Sequence, residues 1–522
     1  MADLCDVKQG QYAPNLPRED RSGLLSSLYE KVGPTQAFSA FLICHVAIWT
    51  ALPSALFPNL PLDLIEALTY GPEWPLGDYK LPPLPWWLVE IAYRTFGHDF
   101  AYYLLAQVAV SVTFALVWAF ARPLVGGAGA LVAVLILDGL HYFNFTAVKF
   151  NHDVLQLPFW ALAGFSFYRA IRIGDLKYWV MLGAAFGLAF WTKYFVVILV
   201  APFVVFILVN RTARATLSAR GPYVAAAVAL AISAPHLVWL FENDFLPFAY
   251  VDGRAELSSG LIDHIWHPAD FAFGQLAFLL PALLISAPLL FQRKTVSYQK
   301  IATFDFAFVT TLAFGPFAAL MLLSAVTGRG ALAMWGYPLW SFLGVWLVLV
   351  ARGEGPLRLT PFLAIWAAVF LGYGLAFVAD YTVLPAYDHR YRAEFYPGRE
   401  VAQQIEGLFT AATGQPLHYV IGSMWLGGNL AHYAASQPRV LIDGRPDRAP
   451  WIDLSDLKKT GAAVVWSLTD RTELPAKYEA IAANAVVQKP LRLRNWYGDR
   501  VVTVGWAILY PEKYQGPAPP HK

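Results

Sequence analysis

Charge is what this chain has least of. Only 14% of its 522 residues are Asp, Glu, Lys or Arg, whereas 57% are hydrophobic, and the mean hydropathy is +0.46. Soluble globular chains carry roughly a quarter charged residues, so a water-soluble protein is excluded. The 38 basic and 36 acidic residues leave a net charge of +2 with no basic run, which argues against nucleic acid as a partner. Two cysteines, Cys5 and Cys44, are too few for a disulfide framework or a cysteine metal cluster. Residues 1–33 contain Lys8, Arg18, Arg21 and Lys31 and lack the apolar core of a cleaved signal peptide. No glycine-rich phosphate loop or dinucleotide fingerprint stands where a strand would meet a helix, so neither a nucleotide sugar nor any cofactor is expected.

What is present in quantity is long apolar runs of about 18–22 residues, the length that crosses roughly 30 Å of hydrocarbon. They fall at about 35–57, 100–121, 124–145, 153–172, 177–193, 194–210, 221–241, 268–291, 302–325, 332–351 and 360–382. The expectation is an all-α polytopic membrane domain of about eleven helices over 35–382. A segment over 1–34, weakly amphipathic at 22–32, precedes it. With the N-terminus in the cytoplasm, alternate connections hold Arg122; Arg169, Arg172 and Lys177; Arg211, Arg214 and Arg220; Arg293, Lys294 and Lys300; and Arg352 and Arg358. Retention of Lys and Arg on the cytoplasmic side predicts this pattern. It puts 58–99, 144–153, 243–270, 328–330 and everything beyond 383 outside, in a bacterial inner membrane.

From about residue 383 the long apolar runs stop and charges become frequent. Helical periodicity over 399–411, and short apolar segments at HYVIG, RVLID, AAVVW and RVVTVGWAIL, predict a small α/β domain over 383–522. The final GPAPPHK reads as an unstructured end. Gly427 and Gly428 do not follow a strand into a nucleotide-binding pattern.

The stretch 63–87, DLIEALTYGPEWPLGDYKLPPLPWW, is richer than a connector requires. It carries Asp63, Glu66, Glu73 and Asp78, with Lys80 next to Pro82, Pro83 and Pro85. Acids spaced to face one site, beside a cation in a proline-stiffened turn, suggest an active-site loop. His152 and Asp153, Lys193 with Tyr194, Arg254 and Arg329 also fall at span ends on the outer face. Acids and cations converging at the membrane–water boundary suit transfer between a lipid-borne phosphate and a hydroxyl or amine acceptor. Each residue also has a plain structural reading. Asp63, Glu66 and Asp153 could serve as first-turn or capping acids, and Lys80, Lys193, Arg254 and Arg329 could reach toward lipid headgroups. The cluster Asp263, His264 and His267 lacks a fourth ligand, so no metal is expected. A transporter of a lipid-linked saccharide is the alternative reading. It would need mid-membrane charge, for which only Asp138 and Asp305 stand out, each without an evident partner.

The segments LDLIEALTYGPEWPLGDYKLPPLPWW, FNHDVLQLPFWALAGFSFYRA, FWTKY and ALAMWGYPLW resemble the polyprenyl-phosphate-sugar-dependent GT-C glycosyltransferases. That group includes protein mannosyltransferases, the aminoarabinose transferase of lipid A and rhizobial galacturonosyltransferases. The resemblance covers roughly 35–350, and the last set is nearest. It implies an inverting transfer from a polyprenyl-phosphate sugar to a glycolipid, glycan or protein acceptor. It also implies roles for individual residues. Asp63 would be the base, with Glu66 as a second carboxylate, and Asp153 would assist at the acceptor. Lys80 would bind the lipid phosphate, with Tyr79, Lys193, Arg254 and Arg329 as further donor-site groups. Leu81 and Asp78 depart from many relatives.

Overall fold

A computed structural model describes residues 33–254, 257, 258, 260–291, 303–351, 359–388, 390–468, 473–497 and 500–514. The segment expected at 1–32, the basic connections at Arg293, Lys294 and Lys300 and at Arg352 and Arg358, and the C-terminal end all lie outside the described residues.

The structure is mostly helical. Pro34–Leu56 (α1) leads to two shorter helices, Leu62–Tyr70 (α2) and Leu84–Phe96 (α3), which occupy the expected loop. Phe100–Asp138 (α4), His152–Ile173 (α5), Leu176–Thr192 (α6), Val197–Val209 (α7) and Gly221–Glu242 (α8) follow. After them come Leu246–Arg254 (α9), Asp263–Leu290 (α10), Thr303–Thr327 (α11), Leu343–Ala351 (α12) and Leu359–Thr382 (α13). Each expected span therefore finds a helix. By length and apolarity alone, six of the described helices can cross a membrane, or up to eight if two bent pairs each count as one span. The difference from eleven has several local causes. Leu176–Thr192 is short at 17 residues, and His152–Ile173 is also not among the six. The runs expected at 100–121 and 124–145 form one 39-residue element, broken at Gly126, whose φ of 73° and ψ of 172° are not helical. The helix stops at Asp138, and 139–151 is irregular. The pairs Tyr194–Val209 with Arg211–Ser218 and Ala333–Trp340 with Leu343–Ala351 bend by 87° and 54°.

Asp138 and Asp305, the two acids within expected spans, each have a side-chain partner. Asp138 Oδ1 lies 3.1 Å from His45 Nδ1, and its Oδ2 accepts from Trp366 Nε1 at 2.9 Å. Asp305 accepts from the Tyr168 hydroxyl at 2.9 Å and sits 3.8 Å from Arg172 Nε. Side chains of neighbouring helices thus hold both acids.

Beyond α13, the helix Gly398–Thr413 (α14) precedes a six-stranded sheet. Its strands are Tyr419–Gly422 (β1), Arg439–Ile442 (β2), Ala462–Ser467 (β3), Val486–Val487 (β4), Leu491–Arg494 (β5) and Val501–Leu509 (β6). The order is β2-β1-β3-β6-β4, with β5 also on β6. β2, β1 and β3 are parallel, and β6 is antiparallel to β3. The helix Met424–Tyr433 (α15) follows β1 and packs directly on α2. A Cβ on Gly428 would run into Thr69 Oγ1 and stand 2.8 Å from Ile65 Cγ2, so only glycine allows this approach. The sheet is thereby docked on the helix that carries Asp63.

Candidate active site

Asp63 sits in the first turn of α2 and Glu66 one turn later. Acids three positions apart share a helical face, and a first-turn carboxylate also meets the positive end of the helix dipole. Capping and facing a site are therefore compatible here. The chain leaves α2 through the turn Gly71–Glu73 and re-enters helix at α3, with Pro85 in its first turn. The prolines at 82, 83 and 85 restrict the backbone between. Lys80 is brought back over α2, where its ammonium pairs with Glu66 Oε2. Asp78 Oδ1 accepts the Lys80 backbone N–H at 3.0 Å and braces the turn.

The opposite wall comes from α5 and α6. Asn151 caps α5, its Oδ1 accepting the N–H groups of Asp153 and Val154 at 3.0 Å each. Its other end, Nδ2, donates to Asp63 Oδ2 at 2.8 Å. One amide thus fixes both the start of a long helix and the carboxylate across from it. His152 Nε2 lies 3.0 Å from the Pro82 carbonyl, and its ring meets Trp86 edge-on at 5.5 Å. Asp153 Oδ1 accepts from Lys193 Nζ at 2.6 Å and from Gln156 Nε2 at 3.3 Å. Lys193 ends α6 in extended backbone, which turns its side chain out of the helix.

Asp63, Glu66, Lys80, Asp153 and Lys193 line one cavity, together with Tyr250 and Trp335. Other expected residues lie elsewhere. The Tyr79 ring stacks beneath the Arg448 guanidinium at 4.7 Å and does not line the cavity. Arg329 lies in the turn after α11, where its carbonyl accepts from Ser324 Oγ at 2.7 Å, and it does not line the cavity either. Arg254 ends α9, and its side chain lies outside the described residues. The expectation that all four acids of the loop face a common site needs correction. Glu73 turns away to Arg439, with Nε to Oε1 at 2.8 Å, and Asp78 serves its own turn. His264 Nδ1 and His267 Nδ1 lie 2.7 and 2.8 Å from the carbonyls of Ala325 and Gly328, fastening α10 to the end of α11.

The electrostatics divide the three cavity carboxylates into two kinds. Glu66, 3% exposed, and Asp153 each hold a lysine. Asp63 holds none; its one described hydrogen bond comes from Asn151. Burial opposes the Lys80 charge, but the Glu66 carboxylate and Tyr250 outweigh it, and the ammonium stays protonated above the ordinary lysine range. The site therefore offers one carboxylate without a cationic partner and two cations within reach of the same space. Asn151 and Tyr250 were not singled out as site residues. An Asn ahead of His-Asp reads as a helix cap, and nothing in that pattern shows its second contact.

Comparison with known proteins bears on the fold and the family. Solved structures of ArnT from Cupriavidus metallidurans, bound to undecaprenyl phosphate and in the apo state, superpose with TM-scores of 0.60 and 0.58. The first match covers 92% of this chain and 98% of that one at 17% identity; the second covers 91% and 98% at 16%. The chain carries the GT-C glycosyltransferase fold. Within that GT-C frame, residues 80–239 match the family described as dolichyl-phosphate-mannose-protein mannosyltransferase. The lipid A galacturonosyltransferase RgtD of Rhizobium johnstonii is 27% identical over 176 residues, 32% of this chain. That alignment spans 36% of RgtD, about a third of the relative's length. The resemblance to the GT-C glycosyltransferase group drawn from the loop motifs thus recurs in sequence and in fold.

Proposed function

We propose that this chain is an integral-membrane glycosyltransferase that moves a sugar from a polyprenyl-phosphate donor to a glycolipid, glycan or protein acceptor, with inversion. Asp63 takes the proton of the acceptor hydroxyl as its oxygen bonds to the anomeric carbon. The bond from that carbon to the phosphate oxygen breaks, and its electron pair leaves with the polyprenyl phosphate. Lys80 and Lys193 stabilise the charge growing there. Glu66 and Asp153 position the two lysines, and Asp153 also faces the acceptor side.

The observation that carries this reading is that Asp63 shares a cavity with two lysines and pairs with neither. Undecaprenyl phosphate bound to ArnT, and RgtD being a lipid A galacturonosyltransferase, support the donor class and an envelope glycolipid as acceptor. The skew of Lys and Arg among connections supports a bacterial inner-membrane protein with a cytoplasmic N-terminus and an α/β domain outside. A transporter is less well supported, because Asp138 and Asp305 are held by side chains of neighbouring helices.

The test is to incubate the purified full chain with a panel of polyprenyl-phosphate sugars and follow acceptor-dependent release of polyprenyl phosphate. Asp63→Asn should abolish release while leaving insertion and thermal midpoint intact. Near-normal turnover in that variant removes Asp63 from the mechanism.

A further inference from the structure

His236 is a buried titratable side chain that the proposed chemistry leaves unused. It sits on α8 at 0% exposure, among the rings of Trp191, Tyr194 and Trp239. Its Nδ1 lies 2.6 Å from the Leu76 carbonyl and its Nε2 lies 2.8 Å from the Tyr194 hydroxyl. A carbonyl only accepts, so Nδ1–H donates to Leu76. Nε2 of the neutral ring then accepts from the Tyr194 hydroxyl, and one tautomer satisfies both nitrogens.

Both bonds leave α8, and each ends beside a lysine that lines the active-site cavity. Leu76 stands four positions before Lys80. A Cβ on Gly77 would run into the Trp239 ring, so the turn lies directly against α8. Asp78 then holds the Lys80 backbone N–H at 3.0 Å, which carries the position of Leu76 on to the lysine. Tyr194 follows Lys193 directly, at the extended backbone that ends α6. Packing among aromatic rings needs no nitrogen, and a buried nitrogen without a partner is costly.

The heads of the two lysines are fastened separately, Lys80 on Glu66 of α2 and Lys193 on Asp153 of α5. Once an ammonium turns to a bound phosphate, its carboxylate no longer sets where it points. The backbone from which the side chain springs then decides its reach. His236 ties both of those backbone segments to one rigid ring.

We infer that His236 is a positioning residue for the donor phosphate, setting through Leu76 and through Tyr194 the places from which Lys80 and Lys193 reach one phosphate group. That the two lysines hold a phosphate rests on the transferase reading. His236 itself touches neither the lysines nor the substrate; it acts through the segments it anchors.

The experiment is titration of the full-length protein in lipid nanodiscs with undecaprenyl phosphate, without acceptor, to obtain Kd. Two substitutions separate the two arms of the ring. In His236→Asn the amide nitrogen takes the place of Nδ1, keeping the bond to Leu76 and losing the one to Tyr194. In His236→Gln the amide oxygen takes the place of Nε2, keeping Tyr194 and losing Leu76. Each should weaken binding about fivefold, the scale of one hydrogen bond. The pattern across lysine backgrounds decides the matter. His236→Asn, and Tyr194→Phe, which removes only a hydroxyl, should lose their effect in Lys193→Met and keep it in Lys80→Met. His236→Gln should do the reverse. A residue that merely stabilises the fold would weaken binding equally in every background. That result, or wild-type affinity in all three variants, would overturn the inference and leave the transferase reading standing. No binding by the wild type, or undiminished binding in both Lys80→Met and Lys193→Met, would sink the donor contacts of that reading and this inference together.

Discussion

Asn151 and Asp63 are 88 positions apart in the chain, and the Asn151 amide donates to the Asp63 carboxylate at 2.8 Å while capping α5 with its other end. The two functions can be separated by substitution. Asn151→Asp keeps a capping oxygen but sets a second carboxylate against Asp63. Like charges at that distance raise a carboxylate pKa. The acid limb of the pH–rate profile for polyprenyl phosphate release should therefore move to higher pH, with the thermal midpoint nearly preserved. Asn151→Ala should in addition lose about 1 kcal/mol of stability through the missing cap. An unshifted profile in Asn151→Asp would show that Asp63 is not the titrating base.

Removing Lys80 takes away the ammonium paired with Glu66. Lys80→Ala should lower stability by about 3 kcal/mol, because a buried carboxylate loses that counter-charge, and should raise the donor KM. The double variant Lys80→Met, Glu66→Gln should recover most of the stability and none of the donor affinity. Chemical denaturation and steady-state kinetics would separate the two effects. Equal instability in the double variant would show that the lysine stem, not the charge pair, stabilises the turn.

Asp78 predicts a pH dependence of stability. Burial, and then the nearby Glu66 charge, push its carboxyl from the ordinary 3.8 up to about 8. Between those values the folded chain holds a proton that the unfolded chain has released, so stability falls as pH rises across the window. Thermal midpoints measured at pH 5 and pH 8 should differ in that direction. Asp78→Asn should reduce the difference, and an unaltered slope would exclude Asp78 as its source.

Gly428→Val places a branched side chain where α15 touches α2. Thr69 and Ile65 occupy that space, so the sheet must lift or α2 must move. Turnover should fall by roughly tenfold or more and the thermal midpoint should drop, effects on the scale of overpacking penalties of about 1–3 kcal/mol. Wild-type activity would mean that docking of the sheet on α2 does not matter to Asp63.

Much of this architecture was legible because its signals are local. Apolar run length marks every helix that replaces an expected span, and four of the six strands stand out as short β-branched segments between turns. β4 and β5 are two and four residues long, and the LRLR of β5 alternates without an apolar stretch. Asp63 and Glu66 were readable as a pair from their three-residue spacing on one helix, and Lys80 from the prolines around it. What was hidden depends on distant contacts. Glu73 has the same local appearance as Glu66, yet Arg439 in the sheet claims it. Lys149 and Glu394, 2.6 Å apart, come from segments 245 positions apart, and no periodicity relates them. The break at Gly126 shows a further limit. One glycine decides whether a 39-residue apolar stretch is one rod or two, and sequence pattern alone does not weigh its backbone conformation.

The two lysine–carboxylate pairs have a consequence for life inside a bilayer. Phospholipid headgroups surround such a site at concentrations far above that of any carrier lipid, and each offers a phosphate. With Glu66 on Lys80 and Asp153 on Lys193, each lysine already carries a tethered counter-charge. A passing headgroup must compete with a tethered carboxylate before it can settle. Only a molecule bringing further contacts of its own can displace that carboxylate, so selectivity begins with the two internal pairs.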